Sequence, residues 1–229
     1  MYKYMMRGGK MNTVNFFNLR KTIADRLLLS AENPREAVDM VSEYIRRVGK
    51  KLDRSKYLKI KRDIWIAKSA KVSESAKLYA PLIVGEGSEI SRCASLSGGV
   101  IIGKDAFVGE RSEIKCSILF DGARATRNNY ISYSIVGHLA HFGAGAIVSS
   151  QKSDLGSINS IPGSLTKKSE QERLGAVIAD GADIGYSSVL SAGAVVEAGA
   201  VIPPLTRLKG FISAEDTHMG ERILLSDIL

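Results

Sequence analysis

The sequence holds three histidines, His138, His141 and His218, and they bound the acid–base chemistry open to it. Imidazole titrates near neutral pH, so a histidine can take a proton from an attacking amine and later release it. A three-histidine zinc centre needs all three rings around one ion with a position left open. His138 and His141 lie close in sequence but His218 stands in the C-terminal tail, so no metal site is expected. The second chemically able group is cationic: Lys115, Arg127, Lys152, Arg207 and Lys209 could each hold a phosphate. Cys93 and Cys116 are too few for a disulfide framework, and are expected as small corner or outward residues in a reducing cytosol.

A six-residue repeat must position these side chains. Ile66, Val72, Leu78, Val84, Ile90, Leu96, Ile102, Val108, Ile114 and Phe120 fall on every sixth position, and small residues such as Ala70, Ser88, Ala94 and Ser112 follow four later. That period is neither the 3.6 of a helix nor the 2 of an ordinary strand. It predicts a mainly β fold, a parallel β-helix in which three short strands make each triangular turn. The register then shifts to Tyr130, Val136, Phe142 and Val148, which places a break between Asp121 and Asn129. It resumes at Ile178, Ile184, Leu190, Val196, Ile202 and Leu208, for roughly seven turns in all. His141 precedes inward Phe142 and so faces outward.

Three regions are expected: a basic helical segment over 1–62, the β-helix over 63–210 with an inserted loop at about 149–175, and a tail over 211–229. Apolar spacing predicts a first helix from Thr13 to about Leu29. A second starts at the Asn33 cap, with Pro34 at its first position and Glu36 completing a capping box, and ends at Gly49. The helices and the tail, with a short helix over Met219 to Leu225, are expected to cover the solenoid's ends or a neighbour, and Trp65 to belong to an end cap.

Charge is uneven. Residues 1–62 carry 16 Lys and Arg against 6 Asp and Glu, a balance of +10, whereas residues 63–229 carry 16 against 18, a balance of −2. The basic front is read as a solvated helical face, and nucleic acid is not expected as a partner. No apolar run approaches the ~20 residues of a membrane span. The basic start lacks a following apolar stretch, so no secretion signal is expected, and the protein is expected in the cytoplasm.

The segments Glu113-Ile114-Lys115, Ser117-Ile118-Leu119-Phe120, Asn129-Tyr130 and Ala140-His141-Phe142-Gly143-Ala144-Gly145-Ala146-Ile147 carry a resemblance. Together with Lys152-Ser153-Asp154 and Leu174-Gly175-Ala176-Val177-Ile178, they resemble the left-handed β-helix proteins related to sugar-1-phosphate nucleotidylyltransferases and their acetyltransferase domains. The likeness covers about residues 60–210. It implies a left-handed solenoid, which periodicity alone does not fix. It also implies a homotrimer that binds acetyl-CoA and a sugar phosphate or sugar nucleotide between subunits.

By that resemblance Lys115 contacts the phosphate and Tyr130 the substrate, although Tyr130 also fits the inward series. Ala144 would offer acetyl-CoA its backbone, although it also fits corner packing. Arg207 and Lys209 are expected near the cofactor phosphates. The family's base aligns with Arg127, which stays protonated and cannot play that role; Arg127 is expected to anchor a phosphate instead. The family's Gly-Asp after the Tyr is Ser132-Tyr133, and a substrate-binding Arg is Ser97. His141, at the position of an Asn ligand, becomes the candidate base, with His138 able to assist.

Two readings follow: acetyl transfer to an amino sugar phosphate or nucleotide sugar, or a non-catalytic binding or assembly protein on the same scaffold. Nucleotidyl transfer itself needs a Gly-rich loop between a strand and a helix. Arg7-Gly8-Gly9-Lys10 is expected to follow no strand, and that reaction is not expected here.

Overall fold

A computed structural model describes residues 16–151 and 173–215, with the backbone of two short strands at Met6–Arg7 and Lys10–Met11. The chain is mainly β, a parallel solenoid of about seven turns with an N-terminal helical segment. Each turn crosses three walls. Wall A is a seven-stranded sheet running from Lys71–Val72 through Glu89–Ile90, Phe107–Val108, Arg124–Ala125 and His141–Phe142 to Asp183–Ile184 and Val201–Ile202. Wall B carries Lys77–Leu78, Tyr130–Ser132, Ile147–Val148, Val189–Leu190 and Arg207–Leu208. Wall C carries Ile64–Ala67, Leu82–Val84, Ile135–Val136, Ala176–Ile178, Ala194–Val196 and Phe211–Ile212. The longer strands Ser95–Ile102 and Glu113–Leu119 run through the corner between walls B and C.

The prism interior is filled by one apolar residue per wall and turn, such as Val84, Ile90 and Leu96, all buried. Buried serines tie the corners. The Ser88 hydroxyl donates to the Gly103 carbonyl at 2.6 Å and accepts from the Ala106 N–H at 3.1 Å, so a small residue there both fits the turn and satisfies backbone groups.

The register break differs from the expected one. Successive turns are 18 residues apart early in the solenoid, and 17 apart between Lys104 and Asp121. The slip falls between Lys115 and Ser117, where Cys116 stands opposite the pair Gly98 and Gly99. A second five-residue corner follows at Tyr133. Cys116 and Tyr133 both take positive φ, 46° and 51°, so one left-handed residue turns the corner that two glycines turned before. The inward residues are therefore Leu119, Ala125 and Ile131. Phe120 points out of the prism and packs on Phe17 at 5.0 Å between ring centroids, and Tyr130 faces outward on wall B. In each case two adjacent apolar side chains compete for one position, and a one-residue slip exchanges their faces.

The next B–C corner, after Val148, is much longer. Wall A strands on either side of it are 42 residues apart where ordinary turns take 18. Strands stop at Val148 and resume at Ala176, and most of the loop, Lys152 included, lies outside the described residues. All the irregular corners are B–C corners.

The N-terminal elements cover wall C, not an end. Its outward residues Ile83, Ile101, Ile118, Ile135, Val177 and Val195 form a second core with Phe16, Phe17 and two helices, α1 (Asp25–Ser30) and α2 (Pro34–Gly49). A wall apolar on both faces needs such a cover. α2 begins as expected: Asn33 accepts from the Glu36 N–H at 3.0 Å, and Glu36 reaches back to the Glu32 N–H. Gly49 lets it seat on buried Trp65, whose ring a Cβ there would meet at 2.4 Å.

The expected first helix is shorter. Among the described residues it is a 3-10 turn at Leu19–Lys21 and then α1. Asn18 and Thr22 bond the Arg20 and Ala24 N–H groups, which diverts the backbone from a continuous helix. At the start of wall C, Tyr57–Lys61 pairs antiparallel with Ile64–Ala67 and covers that sheet edge. The expected helix over Met219 to Leu225 lies outside the described residues.

Candidate functional site

Side chains on a solenoid wall stack in columns, because parallel strands ~4.8 Å apart hold equivalent residues in register. On wall A, Phe107, Arg124, His141 and Asp183 form such a column. The Arg124 guanidinium lies over the Phe107 ring at 4.8 Å from its centroid. One turn on, the His141 ring meets Asp183, with Nδ1 2.7 Å from Oδ1. A carboxylate only accepts, so Nδ1 carries a proton, and Nε2 is the nitrogen whose lone pair the neutral ring offers. The pair is open to solvent, the side chains being 39% and 52% exposed. An exposed imidazole with an oriented ring and a free nitrogen can serve as a general base.

Wall B carries a different column. Glu113, Tyr130, Ile147, Val189 and Arg207 are in register. Ile147 and Val189 are exposed aliphatics on this wall. Lys115 is half-buried beside the short corner, and its carbonyl accepts from the Ser117 hydroxyl and the Tyr133 N–H. Lys209 is four turns further along the same wall.

Arg127 and Ala144 occupy the corner between walls A and B on adjacent turns. The Gly145 N–H donates to the Arg127 carbonyl at 3.0 Å, and the Arg127 side chain is exposed. Toward the start of the chain this corner is charged. The Arg92 guanidinium bonds Glu110 at 2.7 Å and holds its carboxyl below the usual range, with Arg111 and Arg127 adding to the effect. Toward the end it is apolar, with Tyr186 and Leu205 exposed. Gly143 lets the two halves approach, since a Cβ there would lie 2.5 Å from the Tyr186 nitrogen.

The candidates are thus divided: His141 lies on wall A, Lys115, Tyr130, Arg207 and Lys209 on wall B, and Arg127 and Ala144 on the corner between them. His138 sits at the C–A corner, with its Nδ1 2.6 Å from the Asp121 carbonyl oxygen, and does not join His141. Cys93 and Cys116 are unpaired corner residues with positive φ. Sequence reasoning missed Arg124, Asp183, Arg92 and Arg111. Arg124 precedes His141 by one 17-residue turn, but Asp183 lies beyond the insertion, so simple periodicity could not have paired it. Among the described residues no group of three His, Cys, Asp or Glu is placed to hold a metal ion. Nor is any helix among them long and apolar enough to cross a membrane. A short strand, Met6–Arg7, does precede Gly8, contrary to expectation. Its partner Lys10–Met11 runs antiparallel, unlike the parallel unit that a nucleotide loop opens.

No family model matches the chain. Two curated relatives, both called bifunctional protein GlmU, are similar over 64 residues. The one from Acidovorax sp. (strain JS42) is 39% identical over 28% of this chain and 13% of its own length. The one from Paracidovorax citrulli (strain AAC00-1) is 36% identical over 28% and 14%. The match thus spans about an eighth of those relatives. Among solved structures, the acetyltransferase domain of PglB from Neisseria gonorrhoeae FA1090 matches 76% of this chain and 64% of its own, at 17% identity and a TM-score of 0.40. WeeI from Acinetobacter baumannii AYE matches 64% and 57%, at 16% identity and 0.35. A variant of AntD, an N-acyltransferase from Bacillus cereus solved with dTDP and coenzyme A, matches 65% and 72%, at 15% identity and 0.35.

Proposed function

We propose that this protein transfers an acetyl group from acetyl-CoA to the amine of an amino sugar phosphate or nucleotide sugar, with His141 as general base. The observation that carries the reading is the His141–Asp183 pair, bonded at 2.7 Å and open on wall A. In the proposed reaction Nε2 takes the proton that the amine sheds as it attacks the thioester carbonyl. The tetrahedral intermediate then expels the thiolate, which is protonated to free coenzyme A. Asp183 orients the ring and stabilises the imidazolium. Arg127 and Lys115 hold the sugar's phosphate, with Arg124 beside the base. Ala144 gives acetyl-CoA close access to the corner backbone, and Arg207 and Lys209 bind its phosphates.

His141 and Tyr130 lie on different walls, so the proposed site is completed by a second copy whose wall B faces wall A, as a homotrimer allows. Wall C is occupied by the protein's own helices, which leaves A and B for that contact. A cytoplasmic site of action, where acetyl-CoA and sugar nucleotides are made, is part of the same reading.

One observation favours a second reading. Arg127 is exposed where the resemblance places a base, which suits a scaffold that binds sugar nucleotides without acetylating them. Calorimetric titration with acetyl-CoA separates the two. Binding is expected for the enzyme, and its absence at millimolar ligand overturns acetyl transfer. If acetyl-CoA binds, thiol release is then measured across amino sugar phosphates. Binding without release supports the second reading.

A further inference from the structure

A cleft lies away from His141, where the N-terminal segment meets the first turns of the solenoid. It encloses about 410 Å³, within the ~300–1,000 Å³ range of small-molecule sites. Arg20 enters it from the 3-10 turn, Lys51 from just after α2, and Tyr57 from the antiparallel strand, above the C–A corner of the solenoid.

Its acidic groups are already engaged. Glu86 meets Lys56 at 3.4 Å and Lys104 at 3.1 Å. Asp53 accepts the Ser55 N–H at 2.8 Å, and Asp121 accepts the Lys104 N–H at 2.8 Å. Arg20 and Lys51 have no ion-pair partner among the described residues, so they are the cations of the lining left to meet a ligand. Burial, with Glu86 nearby, pushes the Tyr57 phenol up, so it stays protonated at neutral pH and can donate. Between these groups the wall is aliphatic, from Ile23, Leu52 and Ile83.

We propose that this cleft binds a small organic anion, a phosphate or carboxylate on an aromatic or aliphatic body. The anionic group meets Arg20 and Lys51, and the body lies on Tyr57 and Leu52. Such a ligand touches both the N-terminal segment and the solenoid, so it ties the cover of wall C to the wall itself. The proposal does not rest on acetyl transfer.

The test is calorimetric titration and thermal melting of the full chain with phenyl phosphate, benzoate, inorganic phosphate and benzyl alcohol. At least one aromatic anion is expected to bind saturably at millimolar concentration or below, and to raise the melting temperature by mass action. Arg20→Ala with Lys51→Ala should weaken that binding roughly tenfold or more, the scale of losing a hydrogen bond to a charged group. His141→Ala should leave it unchanged, which separates this cleft from the wall A site. The proposal is overturned if no aromatic anion binds, or if benzyl alcohol or inorganic phosphate binds as well as phenyl phosphate. Unchanged affinity in the double variant, or loss of binding in His141→Ala, overturns it too.

Discussion

His141 is tied to the protein's other chemistry through a single neighbour, so its role can be divided experimentally. If it is the base, His141→Ala should lower kcat by about 10²–10⁴-fold, the usual contribution of a positioned base, with little change in acetyl-CoA affinity. Asp183→Asn should lower kcat less and shift the pH–rate profile, because the amide keeps the contact and removes the charge. Equal rates in wild type and His141→Ala would remove His141 from the mechanism. Asn129 gives a structural counterpart. It is 2% exposed, and its Nδ2 donates to the Gly143 carbonyl at 2.7 Å and the Ala146 carbonyl at 3.3 Å. Asn129→Ala should cost about 1–3 kcal/mol in denaturant unfolding, through the loss of two buried hydrogen bonds of about 0.5–1.5 kcal/mol each. At this scale the sequence was partly legible. His141 was expected outward because Phe142 is inward. Arg124 and Asp183 were not found, because their proximity to His141 depends on one short turn and a 24-residue insertion (42 residues where 18 is usual).

Among the elements, α2 was read closely from its cap, its first-position proline and its closing glycine, while the placement of the helical pair was not. Caps are local signals; the seat of a helix depends on which wall is left apolar, and that is known only once the register is right. Misplacing Phe120 as an inward residue hid the surface that Phe17 covers. The Gly49 contact makes the seat testable. Gly49→Val would drive a branched side chain into the Trp65 ring, and overpacking of this kind costs about 1–3 kcal/mol. Trp65 is the only tryptophan, so its fluorescence reports the change directly. A melting curve and emission spectrum identical to wild type would contradict the packing described.

Over the whole molecule, the six-residue rhythm was enough to identify the solenoid and its approximate length. It could not say which walls stay open. With wall C covered, the exposed aliphatics Ile147 and Val189 lie on a wall that no other described element covers. Light scattering should report a trimer, and Ile147→Asp should shift it toward monomer at an unchanged circular dichroism spectrum. A monodisperse wild-type monomer would contradict a site shared between copies.

The paired short corners at Cys116 and Tyr133 bear on how such a chain can change over time. Each corner rests on the one below, so a residue lost from one turn leaves its neighbours out of step until the next turn loses one too. Deletions in this solenoid should therefore be inherited in columns. Restoring a residue beside Cys116 alone should be harmful, and restoring one at both corners should be tolerated better than either change by itself. A corner lengthened by many residues escapes that rule where the strands on either side still pair in register, as those before Val148 and after Ala176 do, and its length is free to drift.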